Sequence, residues 1–118
     1  MKVTHLFLHD DLKFNKPLFF LLNGPDFAND DVQNIFVTTH PHVYNTLKKY
    51  DDNIYLTKKK GSDIFNFYGM QTDWLIVHAL NCHRKDVLCI KKNVEKKIIW
   101  RTWGHDLIDY SSHTKYPK

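Results

Sequence analysis

The sequence predicts an α/β domain built on a five-stranded parallel sheet. Short apolar or β-branched runs recur five times within 118 residues, helix-like segments separate consecutive runs, and the connections are only a few residues long. This alternation calls for right-handed crossovers that place helices on both faces of the sheet. The expected form is a Rossmann-like three-layer sandwich with strand order 3-2-1-4-5.

Each predicted strand is a compact apolar run bounded by polar or turn-forming residues. The first run, V-T-H-L-F-L, occupies residues 3–8, and the others are expected at residues 35–39, 54–57, 74–77 and 98–102. In this strand order the first and fourth strands flank the point where the connections reverse direction. The carboxyl ends of the first, fourth and fifth strands should therefore be neighbours.

Helix signals occupy the first two connections. Asn15 is expected to cap a helix in which Pro17 takes an early position, where it has no hydrogen bond to lose. In the second connection an apolar stripe repeats at i, i+4 and i+7, which favours a helix over residues 42–50. The stripe consists of Val43, Leu47 and Tyr50.

The third and fourth connections carry weaker helix signals. Ser62 or Asp63 is expected to cap a helix that ends near Gly69. Residues 81–93 carry apolar side chains through a charged background and are expected to form one partly amphipathic helix.

Charge and composition bear on the possible partners. The formal charge of +4 concerns solubility and nonspecific attraction rather than fold. Lysines cluster at residues 58–60 and around residues 91–97, and both clusters are interpreted as solvated loop charges, with attraction to anionic lipid headgroups as the functional alternative. Most aromatic residues fall in predicted strands and helices, which disfavours nucleic-acid binding.

Several features suggest a cytoplasmic domain. No apolar run approaches the roughly 20 residues that span a bilayer, no signal peptide pattern follows Met1, and Cys82 and Cys89 are expected to be reduced thiols. Residues 109–118 are polar and lack periodicity. The chain is therefore interpreted as a single domain over residues 1–118 and as a fragment of a longer protein.

Common cofactor and metal motifs are missing from the sequence. The loop after the first strand reads L-H-D-D-L-K, with none of the glycines that let backbone amides approach a phosphate, so nicotinamide enzymes and P-loop NTPases are disfavoured. The only local ligand pairs, His40 with His42 and Cys82 with His83, lack a matching second pair for zinc. No G-x-S-x-G elbow occurs. No cofactor or metal is expected.

Ionisable side chains follow three of the predicted strands. His9 and Asp10 follow the first strand, His78 ends the fourth, and His105 and Asp106 follow the fifth. A histidine beside a carboxylate can deprotonate a hydroxyl, because its pKa is near neutrality and the carboxylate fixes its tautomer. The alternative is that His78 only hydrogen-bonds a loop.

Residues 97–107 run from the last strand directly into a polar turn. Trp103 supplies a bulky indole and Gly104 a permissive backbone, followed by His105 and Asp106. Ligands of open α/β sheets bind at such strand ends. The alternative is that both tryptophans of this stretch belong to the core, Gly104 marks a turn and Asp106 caps a helix.

The stretch W-R-T-W-G-H-D-L at residues 100–107 resembles a segment of the bacterial 4-acetamido-4,6-dideoxy-D-galactose transferase family, which extends the lipid-linked intermediate of enterobacterial common antigen. Ile108 replaces the family's usual tyrosine, and His105 stands where a smaller residue is more common. Residues 76–78 are similar to the family's apolar strand that ends in a histidine. The matching positions of the tryptophan motif are Trp100, Trp103, Gly104, Asp106 and Leu107.

The resemblance implies the N-terminal, acceptor-side half of a metal-independent GT-B glycosyltransferase. The nucleotide-sugar donor would bind a missing C-terminal domain, so the isolated chain is expected to be inactive. His78 or Asp106 would be the base that deprotonates a lipid-linked or glycan acceptor, and the enzyme would be peripheral at the inner face of the cytoplasmic membrane. The residues assigned to substrate binding are His9, Asp10, Trp103, Gly104 and His105.

The competing interpretation is a standalone flavodoxin-like or receiver-like module that binds a partner without catalysis. Asp10 and Asp11 after the first strand would suit the acidic pocket of a receiver. A receiver also needs an acceptor aspartate after the third strand, where this chain has lysines at residues 58–60.

Overall fold

A computed structural model of the chain describes residues 1–27, 30–78 and 84–101. The strands are β1 (Lys2–Phe7), β2 (Gln33–Thr38), β3 (Ile54–Leu56), β4 (Trp74–His78) and β5 (Ile98–Arg101). They form one parallel sheet in the order β3-β2-β1-β4-β5, which confirms the predicted topology. The helices of the described ranges are α1 (Leu12–Leu22), α2 (Pro41–Leu47), α3 (Ser62–Gly69), α4 (Arg84–Leu88) and α5 (Lys92–Glu95).

Hydrophobic cores fill both sides of the sheet, because both faces of a parallel sheet are covered by helices. Consecutive strand residues alternate between the cores, so that Leu6 faces one helical layer and Phe7 the other. The core beneath α3 and α5 contains Leu6, Val37, Ile64, Phe65, Leu75, Val77 and Val94. The core beneath α1 and α2 contains Phe7, Phe19, Phe36, Val43, Leu47 and Ile54. The arrangement is the expected three-layer sandwich.

Helix α1 begins earlier than predicted. Asp11 is its N-cap, and the Asp11 carboxylate accepts a hydrogen bond of 3.0 Å from the backbone N–H of Lys13. The prediction of Asn15 as the cap was wrong, because its side chain turns inward and donates to the carbonyl of His9 at 3.0 Å. Pro17 consequently lies in the helix interior rather than in the first turn.

Replacing Asp11 with alanine is expected to reduce the free energy of unfolding by about 1 kcal/mol, because a backbone donor of α1 loses its acceptor. Asp11→Asn keeps a cap oxygen and should cost less. Asp10→Ala is the matched control, since Asp10 is exposed and precedes the cap. Urea denaturation of the three variants measures the difference, and an equal loss in the Asp10 and Asp11 variants would contradict the capping role.

Two other helix boundaries differ from the predictions. Helix α2 covers only Pro41–Leu47, so Tyr50 lies beyond its end, where the ring is half exposed and packs edge-on against Phe20. The N-cap of α3 is Gly61, at φ +58°, rather than Ser62 or Asp63. Glycine suits this position because a left-handed backbone is strained for residues with a Cβ. The end of α3 at Gly69 is confirmed.

One helix was predicted over residues 81–93, but the structure has α4 there and, from Lys92, the start of a separate helix α5. Residues 81–83 lie outside the described part. The Asn66 side chain explains the break, because it accepts from the backbone N–H of Lys91 and donates to the carbonyl of Cys89, at 2.9 and 3.3 Å. This contact holds the chain in a turn between the helices. Trp74, predicted as part of a buried run, is instead 41% exposed.

Candidate functional site

An open cleft of about 740 Å³ lies at the carboxyl edge of the sheet, beyond the ends of β1, β2 and β3 and beside the start of α3. Its apolar wall includes Leu8, Ile64 and Phe65, which also belong to the core beneath α3 and α5. The remaining lining comes from the end of β3, the start of α2, the loops after β2 and β3, and α4: Thr39, Pro41, Leu56, Thr57, Lys58, Lys59, Lys60, Gly61 and Asp86.

Hydrogen bonds between neighbouring strand ends hold the cleft in shape. The backbone N–H of Thr57 donates to the carbonyl of Thr38 at 2.9 Å, which extends the pairing of β2 and β3 by one step. The His40 ring donates from Nε2 to the carbonyl of Leu8 at 3.0 Å, so the loops after β1 and β2 are tied together. The Thr38 hydroxyl accepts from the backbone N–H of His40 at 3.2 Å. The cleft is therefore largely preformed.

Positive charge predominates at the mouth of the cleft. Lys58, Lys59 and Lys60 are exposed there, and the Lys59 ammonium lies 4.1 Å from the ring centroid of Phe67, where it makes a cation–π contact. The opposing charge in the lining is Asp86, whose carboxylate packs against Gly61. A Cβ at Gly61 would lie 3.0 Å from Asp86 Oδ1, so this contact depends on glycine.

A second polar cluster lies on the opposite side of the sheet, in the layer of α1 and α2. The rings of His5 and His78 are 2% and 1% exposed, and His5 Nδ1 lies 2.9 Å from His78 Nε2. His5 Nε2 lies 2.9 Å from Asn34 Oδ1. The two histidine rings stack on each other, His5 also stacks on Phe36, and Phe7 tilts against His78. This buried histidine pair bridges the neighbouring strands β1 and β4.

The hydrogen-bond network assigns the proton positions of the pair. Asn34 Nδ2 donates to the carbonyls of Leu22 and Phe27, so its Oδ1 faces His5. Because this oxygen only accepts, His5 carries its hydrogen on Nε2 and accepts at Nδ1 from Nε2–H of His78. Among the described residues, nothing donates to the buried Nδ1 of His78.

Burial favours the neutral form of both histidines near pH 7. Burial, followed by the nearby charges of His5, Arg101 and His9, lowers the pKa of His78 to about 2. Burial also lowers the pKa of His5, opposed by the hydrogen bond to Asn34 and assisted by Arg101. A histidine with so low a pKa is a poor proton acceptor near neutral pH.

The structure brings three predicted site residues to adjacent strand ends. His78 pairs with Phe7 in the sheet register, and His9 and Asp10 follow two and three residues later on the β1 side. Asp10 is exposed, whereas His78 is buried and hydrogen-bonded to His5 rather than to a loop. The other predicted site residues, Trp103, Gly104, His105 and Asp106, lie outside the described residues.

The catalytic role of His78 stays a prediction, and the burial of its ring adds no support for it. The prediction from sequence missed His5 and Asn34. His5 did carry a signal, because a polar residue in the centre of the run at residues 3–8 must be buried and therefore needs a partner. Asn34 had no comparable signal. The lysine cluster at residues 58–60 is visible in the sequence, but only the folded chain places these lysines around a cleft.

Other kinds of site have little support in residues 1–27, 30–78 and 84–101. No three side chains of histidine, cysteine, aspartate or glutamate converge there as a metal site would require. Within the same ranges, no helix has the length and apolar character needed to cross a bilayer.

Comparisons of the chain with protein-family models, curated proteins and solved structures found no match. The chemistry of the cleft is therefore argued from its own geometry.

Proposed function

We propose that this chain is an α/β binding domain that holds a phosphate-bearing small molecule in the carboxyl-edge cleft. The observation that carries the proposal is the position of the cleft, because ligands of open parallel sheets bind outside the carboxyl ends of the strands. Its volume of about 740 Å³ is typical of sites for cofactor-sized molecules. The hydrogen bonds between strand ends favour binding, since a preformed site has less entropy to lose.

The lining indicates the chemistry of the ligand. Three lysines against one aspartate leave an excess of positive charge at the mouth, which favours a phosphate or diphosphate. The apolar wall of Leu8, Ile64 and Phe65 would pack against an uncharged part of the same molecule. An amphipathic ligand with an anionic head satisfies both requirements.

We further propose that the domain serves as the acceptor side of a GT-B glycosyltransferase. A lipid-linked diphosphate acceptor combines an anionic head with an apolar chain, as the cleft requires, and the tryptophan motif provides the resemblance to that enzyme class. The domain would then work at the inner face of the cytoplasmic membrane, where lysines are attracted to anionic lipid. The nucleotide-sugar would bind a separate domain. Asp106 is proposed as the base that deprotonates the acceptor, since the buried ring of His78 is a poor proton acceptor near neutral pH.

Binding is tested by isothermal titration of the chain with geranyl diphosphate, a short lipid diphosphate. We expect saturable binding. The affinity should fall at least about tenfold in Lys58→Gln/Lys60→Gln, because these lysines neutralise the diphosphate, and for the same reason it should fall as salt is added. The matched control is Lys91→Gln/Lys92→Gln, which removes the same charge from exposed positions at α5, away from the cleft lining. Equal affinity in the two double variants would contradict the cleft as the binding site.

Two further ligands separate the parts of the proposal. Pyrophosphate should bind more weakly than geranyl diphosphate, because it lacks the apolar part. A labelled nucleotide-sugar should not transfer its sugar to a lipid acceptor when the chain is supplied alone. Sugar transfer by the isolated chain would contradict the two-domain account. If the chain binds diphosphate but no longer natural protein that contains it transfers sugar, a binding module without catalysis is favoured.

A further inference from the structure

Helix α4 supplies the acidic side chain of the carboxyl-edge cleft. Asp86 is half-buried, and its carboxylate packs so closely against Gly61 that a Cβ there would lie 3.2 Å from Cγ of Asp86. Only glycine suits the position, because its φ of +58° is strained for other residues. Since Gly61 follows Lys60 directly, Asp86 lies beside the loop that supplies the lysines of the cleft.

The Asp86 carboxylate has no hydrogen-bond or ion-pair partner among the described residues. The lysines at residues 58–60 line the same cleft, yet none of them forms an ion pair with it, and the Lys59 ammonium lies over the ring of Phe67 instead. A carboxylate that is partly removed from water and receives no donor in return raises the free energy of the protein. A ligand that donates a hydrogen bond to Asp86 would recover this free energy.

The surrounding charge decides which kind of donor suits Asp86. A metal ion or an ammonium group would enter a cleft that already holds three lysines, and like charges repel. A hydroxyl group donates a hydrogen bond without adding charge, and the bond that it makes to a carboxylate is charge-assisted. An uncharged hydroxyl is therefore the donor that the lining favours.

We propose that Asp86 determines the specificity of the cleft by accepting a hydrogen bond from a hydroxyl group close to the phosphate of the ligand. The lysines would hold the phosphate, and the apolar wall would pack against any hydrocarbon attached to the same molecule. The ligand class then narrows to polyhydroxylated phosphate esters such as sugar phosphates.

This inference rests on the phosphate site proposed above and adds the chemical group that lies next to the phosphate. The role of Asp86 is recognition, and it involves no proton transfer. The proposed assignment of Asp106 as the base is therefore unaffected.

The test compares two phosphate monoesters of equal charge. Glucose 1-phosphate carries hydroxyl groups on its ring, whereas cyclohexyl phosphate carries none. Each is titrated calorimetrically into the unmodified chain and into Asp86→Ala, with EDTA present so that no metal ion bridges the carboxylate and the phosphate. The affinity of each ligand is compared only between proteins, so the different hydrophobicity of the two rings does not affect the result.

The two ligands should respond to Asp86→Ala in opposite directions. The affinity for glucose 1-phosphate should fall at least about fivefold, because a charge-assisted hydrogen bond is lost. The affinity for cyclohexyl phosphate should rise about two- to threefold, because a negative charge near the phosphate is removed. If Asp86 only supported the loop at Gly61, the substitution would weaken the binding of both ligands.

Asp63→Ala is the matched control. It removes an exposed carboxylate from the first turn of α3, close in sequence to the lysines but outside the cleft lining. Both affinities should change in the same direction and by less than about twofold, because solvent and salt screen an exposed charge.

Asp86→Asn is a second variant, which keeps the size of the side chain against Gly61 and guards against misfolding of Asp86→Ala. Its amide oxygen still accepts a hydrogen bond, but without the negative charge. The affinity for glucose 1-phosphate should therefore fall less than in Asp86→Ala, while the affinity for cyclohexyl phosphate should still rise.

Each outcome supports or overturns the inference. Opposite responses of the two ligands in Asp86→Ala support it. Responses in the same direction, or an unchanged affinity for glucose 1-phosphate, overturn it. If geranyl diphosphate binds the unmodified chain but glucose 1-phosphate does not, the inference fails and the phosphate site stands. If none of the three ligands binds, the phosphate site fails and the inference fails with it.

Discussion

Lowering the pH from 8 to 5 is expected to reduce the free energy of unfolding by up to about 2 kcal/mol through His78 alone. In the unfolded chain this histidine takes up a proton near pH 6.5, whereas in the folded protein its pKa is about 2. The unfolded state therefore binds more protons below pH 6.5. The stability that the neutral ring provides is present above that pH and is lost progressively as the pH falls towards 2.

His5 acts in the same direction, because its pKa is also lowered by burial. Protonation of His5 at Nδ1 would place a second hydrogen in its contact with His78 Nε2–H. Protonation of either ring would also place a charge in the core beneath α1 and α2. The loss of stability at low pH is therefore expected from each histidine and also from the hydrogen bond between them.

Urea denaturation between pH 8 and pH 5 measures this effect. His78→Gln keeps a donor for His5 but does not titrate, so its loss of stability over this range should be about 2 kcal/mol smaller than in the unmodified chain. His42→Gln is the control, because His42 is exposed on α2 and should leave the pH dependence unchanged. A pH dependence that is the same in all three chains would refute the assignment to the buried pair.

Gly69→Ala is expected to destabilise the protein by about 1–3 kcal/mol. A Cβ at this position would clash with Cγ1 of Val94 and lie 3.2 Å from its Cγ2, and Val94 is fully buried between α5 and the sheet. Val94 has little room to move, because its β-branched side chain is restricted in a helix. The clash outweighs the gain of at most about 1 kcal/mol that alanine normally brings to a helix.

A double-mutant cycle checks this close approach of α3 and α5. Val94→Ala alone should also destabilise, by creating a cavity. In Gly69→Ala/Val94→Ala the methyl group introduced at position 69 occupies part of that cavity, so the double variant should lose less stability than the two single variants together. Additive losses, or a stabilising Gly69→Ala, would show that α3 and α5 do not meet at this point.

The sequence by itself determined the class of fold and the order of its strands. The central strand β1 is a short apolar run because both of its faces are buried, and this property is visible in residues 3–8. Short connections and right-handed crossovers then favour a doubly wound sheet, and β3-β2-β1-β4-β5 is one of the common strand orders of such a sheet. These features depend on local composition and chain connectivity, which need no knowledge of distant contacts.

Local helix details were decided by side-chain contacts with backbone groups outside the helix concerned. Asn15 has the chemistry of a cap, yet the carbonyl of His9 draws its side chain inward and leaves the cap to Asp11. Residues 81–93 have an amphipathic pattern, yet Asn66 binds the backbone at Lys91 and Cys89 and separates α4 from α5. Side-chain partners from other elements override propensity in both places.

Only the tertiary structure decided the candidate site. The histidine pair depends on the register that places β4 beside β1 and on the amide of Asn34 from β2, and the cleft depends on loops that follow three different strands. Both arrangements depend on packing across the sheet, so the residues adjacent in sequence to each site residue do not predict them. The sequence predicts where the strands end, but it does not predict which side chains at those ends turn towards the core.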